Sequence, residues 1–482
     1  MIAVGASACG PPTPSPASGE LFERTEHGHF TEYRGVSRGL AWGDYDGDGD
    51  PDLFVSHPVY DGPDQRNALY RNESGKLVLV ESEVGTAPPA GWEGATWVDV
   101  DGDRDLDLHL VGRDGAGSRF YANQDGVLEQ VETDPFGDLV QSASMTCWAD
   151  ADGDGWLDAF VVGYGEDQNR LFRNRGGWIM ETVPLAEVAR GSGRSRACTW
   201  LHPGGRTLPV LAVANAREPN LLLSTAGDMQ FSVDTMSAMW RDRAYGYGLS
   251  AADVNGDGEQ DLFVANFDGG NSRLLGTGDG GFEAAPLGDA LQSPASKGHV
   301  WADFNNDGWI DLYLGSGTPA PGMVNRLWLG TPAGGFALDT VGAFAQDADT
   351  SAAVAGADLD GDGDVDLAVA NWGSSESADR LYLNQARGGR WLLVDLVGRA
   401  PNTGGVGARV SARFERRGES VWIHRWQTLS TGYAGQNEHR LHFGLGEATR
   451  VDSLAVRWPS GAVTRMGGLP ADQVVRVQEG RP

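Results

Sequence analysis

Seven segments of this chain repeat in register, and six of them carry the same run of carboxylates. The first three are Trp42-Gly-Asp-Tyr-Asp-Gly-Asp-Gly-Asp-Pro-Asp52, Trp97-Val-Asp-Val-Asp-Gly-Asp-Arg-Asp-Leu-Asp107 and Trp148-Ala-Asp-Ala-Asp-Gly-Asp-Gly-Trp-Leu-Asp158. The series resumes at 251–261, 301–311 and 356–366, while 200–210 keeps the frame and has lost every Asp. The first acidic position, or its equivalent, falls at 44, 99, 150, 202, 253, 303 and 358, a period of 50 to 55 residues. A period of that size marks a repeat architecture in which no unit buries its own faces and neighbours must stack.

Each segment leads into a short apolar run: Leu53-Phe-Val55, Leu108-His-Leu110, Ala159-Phe-Val161, Leu211-Ala-Val213, Leu262-Phe-Val264, Leu312-Tyr-Leu314 and Leu367-Ala-Val369. A second strand follows about 15 residues on and opens with a small polar residue, as at Asn67, Asn169, Asn325 and Asp379. A third comes next, as in 128–131 and 336–338. Three to four short strands per unit, with no helical period between them, make a propeller blade. The expected fold is all-β: a seven-bladed β-propeller over 21–384, with residues 21–25 completing the last blade and hiding its edge. An open solenoid is the alternative. The tail, 390–480, reads as seven or so strands with Gly-rich turns, which suits a small β-sandwich or barrel. The 70 Gly and 23 Pro would suit a disordered chain, but 40% hydrophobic residues and 16 Trp supply a core. Glycine is therefore assigned to turns.

The repeated loop has the pattern D-x-[DN]-x-D-G-x-x-D. Side-chain oxygens at positions 1, 3, 5 and 9 converge on one point, and the carbonyl of position 7 adds another. Hard oxygen ligands in that number suit Ca²⁺, and the lack of thiol or imidazole argues against Zn²⁺. About six Ca²⁺ sites are expected. The first takes Asp44, Asp46, Asp48, Asp50 and Asp52, the second Asp99, Asp101, Asp103, Asp105 and Asp107, and the third Asp150, Asp152, Asp154, Trp156 and Asp158. The fifth unit offers Asp253, Asn255, Asp257, Glu259 and Asp261, and the sixth Asp303, Asn305, Asp307, Trp309 and Asp311. The seventh offers Asp358, Asp360, Asp362, Asp364 and Asp366. Position 6 needs a tight turn and is Gly except at Arg104, where the site is expected to be strained or weaker. The fourth unit, with His202, Gly204 and Arg206, should bind nothing. An EF-hand is excluded: its twelfth-position Glu is replaced by Val55, Leu110, Val161, Val264, Leu314 and Val369, and a strand follows instead of a helix.

The net charge of −30 disfavours nucleic acid or an anionic membrane surface as partner. No apolar run is long enough to span a bilayer. Ala6-Ser7-Ala8-Cys9-Gly10 resembles a bacterial lipobox, with Cys9 as the lipidated residue and Pro11 to Ser18 as a tether. The eight residues before Cys9 hold no Lys or Arg and are short for a signal peptide. Residues 1–20 are thus read as an export segment. The chain is expected at the cell surface, in the periplasm or secreted, touching a membrane only through the lipid. Cys147 and Cys198 occupy nearly equivalent places in adjacent units; two buried free thiols are expected, with a disulfide as the alternative.

The Asp loops resemble the FG-GAP or VCBS-type repeats of integrin α-chain propellers and bacterial surface proteins, over about 21–384. The tail resembles the ASPIC/UnbV domain through Trp391-Leu-Leu-Val-Asp-Leu-Val397, Val406-Gly-Ala-Arg-Val410, Gly432-Tyr-Ala-Gly-Gln-Asn437, His442-Phe-Gly-Leu-Gly446 and Val456-Arg-Trp-Pro-Ser-Gly461. Ala434-Gly435 is a local departure within the third of these. The combination is similar to the cartilage acidic protein family, which implies extracellular calcium binding.

Catalytic motifs fail on context. Gly35-Val-Ser-Arg-Gly39 has the letters of a nucleophile elbow but precedes a blade strand rather than a helix. Gly276-Thr-Gly-Asp-Gly-Gly281 is a turn between strands. His439 and His442 should not face one point, and His299 and Arg241 form no pattern. The expected function is a calcium-binding adhesion or ligand-binding module with a glycan or protein partner. A propeller-type hydrolase or lyase, and a structural scaffold, are the alternatives.

Overall fold

The computed structural model describes residues 21–480 apart from 59–65, 86–89, 205, 269, 287–292, 294, 319–322, 333, 348 and 374–377. Cys9 and the proposed export segment lie outside the described residues. Each repeat folds into an antiparallel meander of four strands, such as Ala143–Ala149, Asp158–Gly163, Arg170–Asn174 and Met180–Val183. The first two strands are buried on both faces; the fourth is mostly exposed. That gradient explains the pattern of apolar runs followed by weaker alternation: inner strands have sheets on both sides, outer strands meet water.

The sheets close on themselves. The inner strand of each repeat adjoins the next, and the last, Ser351–Ala357, lies beside the first, Leu40–Gly43. Phe22–Thr25 pairs antiparallel with Arg380–Asn384 and supplies the fourth strand of the seventh sheet. Phe22 is fully buried there, edge-on to Phe304 and Phe344. The all-β fold of repeated four-stranded sheets is consistent with a propeller. Its core is divided among the interfaces between successive sheets. The motif Trp residues lie in these interfaces, and two hydrogen-bond the preceding inner strand: Trp97 Nε1 to the Ala41 carbonyl and Trp200 Nε1 to the Cys147 carbonyl, both 3.1 Å.

The cysteines correct the expectation of free thiols: Cys147 and Cys198 form a disulfide. Adjacent inner strands bring their Cα atoms to 6.1 Å, within bonding range.

From Arg390 onward the chain forms a three-stranded and a four-stranded sheet around one apolar core. Between Trp426 and Leu441 it leaves these sheets and runs through the middle of the ring. Gly435 and Gln436 pair in parallel with Leu40 and Ala41. The N–H groups of Trp97, Leu249 and Gly356 donate to Gln436 Oε1 (2.7 Å), the Gly432 carbonyl (2.9 Å) and Asn437 Oδ1 (2.9 Å). Ser430 and Thr431 hydroxyls donate to the carbonyls of Cys198 and His299. Leu429 packs in the cluster that holds Ala143 and Trp148. Among the described residues, one segment thus meets the inner strand of each repeat in turn. The Ala434-Gly435 departure sits at this crossing: Ala434 has φ +48°, and a Cβ on Gly435 would stand 2.7 Å from the Val354 carbonyl oxygen. Among the described residues, no helix is long and apolar enough to cross a membrane.

Candidate metal centre

Each Asp loop joins the first strand of a sheet to the second and is held by its own carboxylates. The first Asp accepts the N–H of position 6 at 2.7 to 3.1 Å in the first, second, third, fifth and sixth loops. Position 3 accepts from position 5, and position 5 from position 7, as in Asp152, Asp154 and Trp156. These are Asx turns, which bend the loop around its oxygens. Position 6 has φ between +87° and +99° in all six loops, and Arg104 is held at +95° like the glycines. For an arginine that is a strained backbone. The sixth-position glycines other than Gly49 also meet the C-terminal domain: a Cβ on Gly363 would overlap the Trp391 indole, and one on Gly258 would press on Arg409 and His424. Position 4 needs the left-handed region too, with Gly47, Gly102, Gly153, Gly256 and Gly361 at +73° to +82° and Asn306 at +56°. The sequence reading assigned a turn requirement only to position 6.

The ninth Asp does more than its assignment as a ligand implied. In all six loops one oxygen accepts the N–H of position 2, at 2.8 to 3.1 Å. The other accepts a backbone N–H from the third strand, at 2.7 to 2.9 Å. These Asp residues are almost fully buried. A second set was missed by the sequence reading. Asn72, Asn123, Asn174 and Asn384, each at the same point in its third strand, donate to the position-2 carbonyl of the preceding loop: Leu359, Tyr45, Val100 and Phe304. The recurring Asn was the available signal. Its side chain ties one loop to the next sheet.

The loops gather charge that burial penalises. Burial, opposed by backbone N–H donors and reinforced by neighbouring carboxylates, raises Asp44, Asp99, Asp150 and Asp253 to about 6. Burial likewise takes Asp52, Asp107 and Asp158 to about 8 and pushes Asp311 and Asp366 well above the usual carboxylate range. Three carboxylates converge within 4.8 Å in the first (Asp44, Asp46, Asp48), second (Asp99, Asp101, Asp107), third (Asp150, Asp152, Asp158) and seventh (Asp358, Asp360, Asp366) loops. The fifth and sixth place Asn255 and Asn305 at position 3, each donating to the position-5 Asp. The fit to a cation shows in orphaned atoms: Asp44 Oδ1 and Asp358 Oδ1 are buried acceptors without a hydrogen-bond partner. Such a donor set, all hard oxygen, suits a divalent cation.

Several position-7 side chains have partners outside their own loop. Glu259 accepts from the Gly204 N–H, Asp105 from the Asp125 N–H and Asp364 from Asn306, while Trp309 lies under the Arg416 guanidinium. Asp50 is half-buried. In the third loop Arg173 pairs with Asp152 and Asp154. In the second, the Thr403 hydroxyl of the C-terminal domain donates to Asp99. The fourth loop has no carboxylates; its backbone is met from the fifth repeat, with Gln260 and Glu259 accepting the His202 and Gly204 N–H groups at 2.7 and 2.8 Å.

The other sequence candidates do not assemble a catalytic group. Ser37 donates to buried Asp379, and no hydrogen bond of Ser37 to a histidine is found among the described residues. Gly276 ends one strand of a hairpin and Gly281 immediately precedes the next. His299 pairs with Ser250 inside the ring, with no carboxylate in the pair. Arg241 ends a short helix at the surface. His439 faces Gln436 and His442 faces the Gly363 carbonyl, so the two are apart.

Comparison with known proteins agrees with this layout. Residues 44–110, 99–161, 253–314 and 303–369 match the FG-GAP-like repeat, and 398–482 match ASPIC and UnbV. The fourth repeat lies outside these matches. The chain is 24% identical over 486 residues to cartilage acidic protein 1 of Xenopus tropicalis, covering 89% of this chain and 71% of that one. Against the human protein of that name it is 24% identical over 488 residues, covering 88% and 69%.

Proposed function

We propose that this chain, built of FG-GAP-like repeats and an ASPIC and UnbV domain, is an exported, calcium-loaded binding module that acts outside the cell or on its surface and performs no catalysis. In this reading residues 21–384 form a seven-bladed propeller and 390–480 a second β domain docked on its acidic loops. The observation that carries the reading is the six-fold repetition of one buried carboxylate scaffold, with acceptor oxygens left unmatched. Bound Ca²⁺ would neutralise the clustered charge and hold the loops against the C-terminal domain. Millimolar extracellular calcium fills sites of modest affinity, which supports export. Similarity to cartilage acidic protein supports an adhesion-type role. The partner is then a glycan or protein.

Metal analysis after dialysis against Ca²⁺ tests this. The expected content is about six ions per chain. The first, third and seventh loops should bind more tightly than the fifth and sixth, which have one carboxylate fewer; in the second, the strain at Arg104 offsets its extra carboxylate. A chain that retains no divalent ion would refute the assignment.

A further inference from the structure

The C-terminal domain and the ring leave a cleft of about 850 Å³ between them, within the size range of ligand sites. One wall is the fifth and sixth loops. The other is a face of the four-stranded sheet formed by Arg409–Arg416, Glu419–Trp426, Ser453–Arg457 and Val463–Met466. Register fixes which residues share that face. Arg409 stands opposite Trp426 and Arg457, Ser411 opposite His424 and Ala455, Arg413 opposite Trp422, and Ala455 opposite Arg465. Directly opposed residues project to one side. The reverse side carries Val410, Ala412, Phe414, Leu454 and Val456 into the core.

A chain of net charge −30 therefore presents a concave surface built from arginines and indoles. Among the described residues no carboxylate forms an ion pair with Arg409, Arg457 or Arg465. Arg409 Nε and Trp309 Nε1, both on lining residues, are buried donors without a hydrogen-bond partner. Trp422 is 41% exposed, and its ring is parallel to His424 within 7°. Asp253 and Asp257 face these groups from the fifth loop. If that loop holds a cation, their charge is already committed and the cleft is left with surplus positive charge.

We propose that this cleft binds an acidic carbohydrate, a short oligosaccharide bearing uronate or sulfate groups. Guanidinium forks match carboxylate and sulfate oxygens bidentately. An exposed indole gives the apolar face of a sugar ring a platform, because its π face attracts the ring's C–H groups. An acidic peptide is the less suitable occupant. Extended peptides gain affinity from main-chain hydrogen bonds at a sheet edge, whereas the arginines and the indole of this cleft project from a sheet face, over strands Arg409–Arg416 and Ser453–Arg457 that are paired on both sides. The inference rests on the reading of the chain as an exported binding module, and it names the site and the ligand chemistry.

The test is calorimetric titration of the full chain in calcium buffer at physiological salt. The probes are a heparin-derived hexasaccharide, a galacturonate hexamer, neutral cellohexaose and a poly-glutamate peptide. One or both acidic glycans should bind and the other two should not; the two acidic probes separate sulfate from carboxylate recognition. R457A/R465A, at two exposed positions, should weaken binding about tenfold or more with an unchanged melting temperature, and W422A should weaken it separately. Three results overturn the proposal: no binding of either acidic glycan, equal binding of cellohexaose or poly-glutamate, or wild-type affinity in both variants. Failure of the calcium reading would register elsewhere, as absent metal, whatever the glycan titration gives.

Discussion

The first and fourth loops have the same frame and opposite chemistry. The first bends around Asp44, Asp46 and Asp48, is anchored by Asp52, and is tied to the next sheet by Asn123. The fourth has no acid of its own. Gln260 and Glu259 of the following repeat accept its N–H groups, and a disulfide joins its leading strand to the inner strand of the preceding sheet. The recurrent Asn is also missing in the fourth repeat, where Thr225 ends the third strand. The lesson is that the junction between sheets must be fastened, while the fastener is interchangeable: a carboxylate cage, borrowed side chains or a covalent bond.

The largest test of that contrast is chelation. Removing divalent ions should lower the melting temperature by at least about 10 °C, as expected when a ligand specific to the native state is withdrawn from several sites. Hydrogen exchange should accelerate at the six acidic loops and stay near its starting rate at 202–206. Uniform acceleration would break the distinction between the two kinds of junction.

The metal-free chain should also acquire a pH dependence. Asp52, Asp107 and Asp158 sit at about 8 in the fold, against about 4 in an unfolded chain. The native state then holds protons that the unfolded chain has released. This stability is fully present below pH 4 and is lost as pH rises toward 8. Chelated protein should melt higher at pH 5 than at pH 8, and calcium should flatten the difference. A chelated sample with no slope would show that the carboxylates are relaxed and hydrated without metal.

C147A/C198A should cost about 4 kcal/mol, the loop-closure entropy of a 51-residue separation, measured by denaturant unfolding. The loss should appear equally with and without calcium. At the acidic junctions, Asn123→Ala should cost about 1–3 kcal/mol, since it strips buried carbonyls of Tyr45 and Leu106 of their donor. The smallest effect is expected for His202→Asp. One carboxylate in a loop otherwise without acids should leave metal content unchanged; an added ion per chain would show that the frame alone suffices.

Sequence made the repeated scaffold legible because its chemistry is local: the Asp spacing, the following apolar run and the glycine at position 6 all fall within a dozen residues. The fastenings between repeats were not legible. Whether Cys147 and Cys198 bond depends on the separation of two strands 51 residues apart. Asn384 reaches Phe304 across 80 residues, and Glu259 serves a loop 55 residues earlier. The same holds for the C-terminal segment: nothing in Gly432-Tyr-Ala-Gly-Gln-Asn437 alone says that its partners are the inner strands of the ring. Arg104 was legible as an irregularity. The structure adds that it adopts the glycine conformation rather than abandoning the turn.

The route of residues 427–440 along the ring axis governs the order in which a growing polypeptide can be finished. The seventh sheet waits for Arg380–Asn384 before the opening strand has anything to pair with. The axial N–H groups of Leu40, Trp97 and Leu249 wait longer, until residues 432–436 have been made. A polypeptide that stopped at residue 400 would leave these N–H groups without the acceptors that residues 432–436 supply. Residues 427–440 are in that sense a keystone: one late stretch closes hydrogen bonds that strands made far earlier have left open.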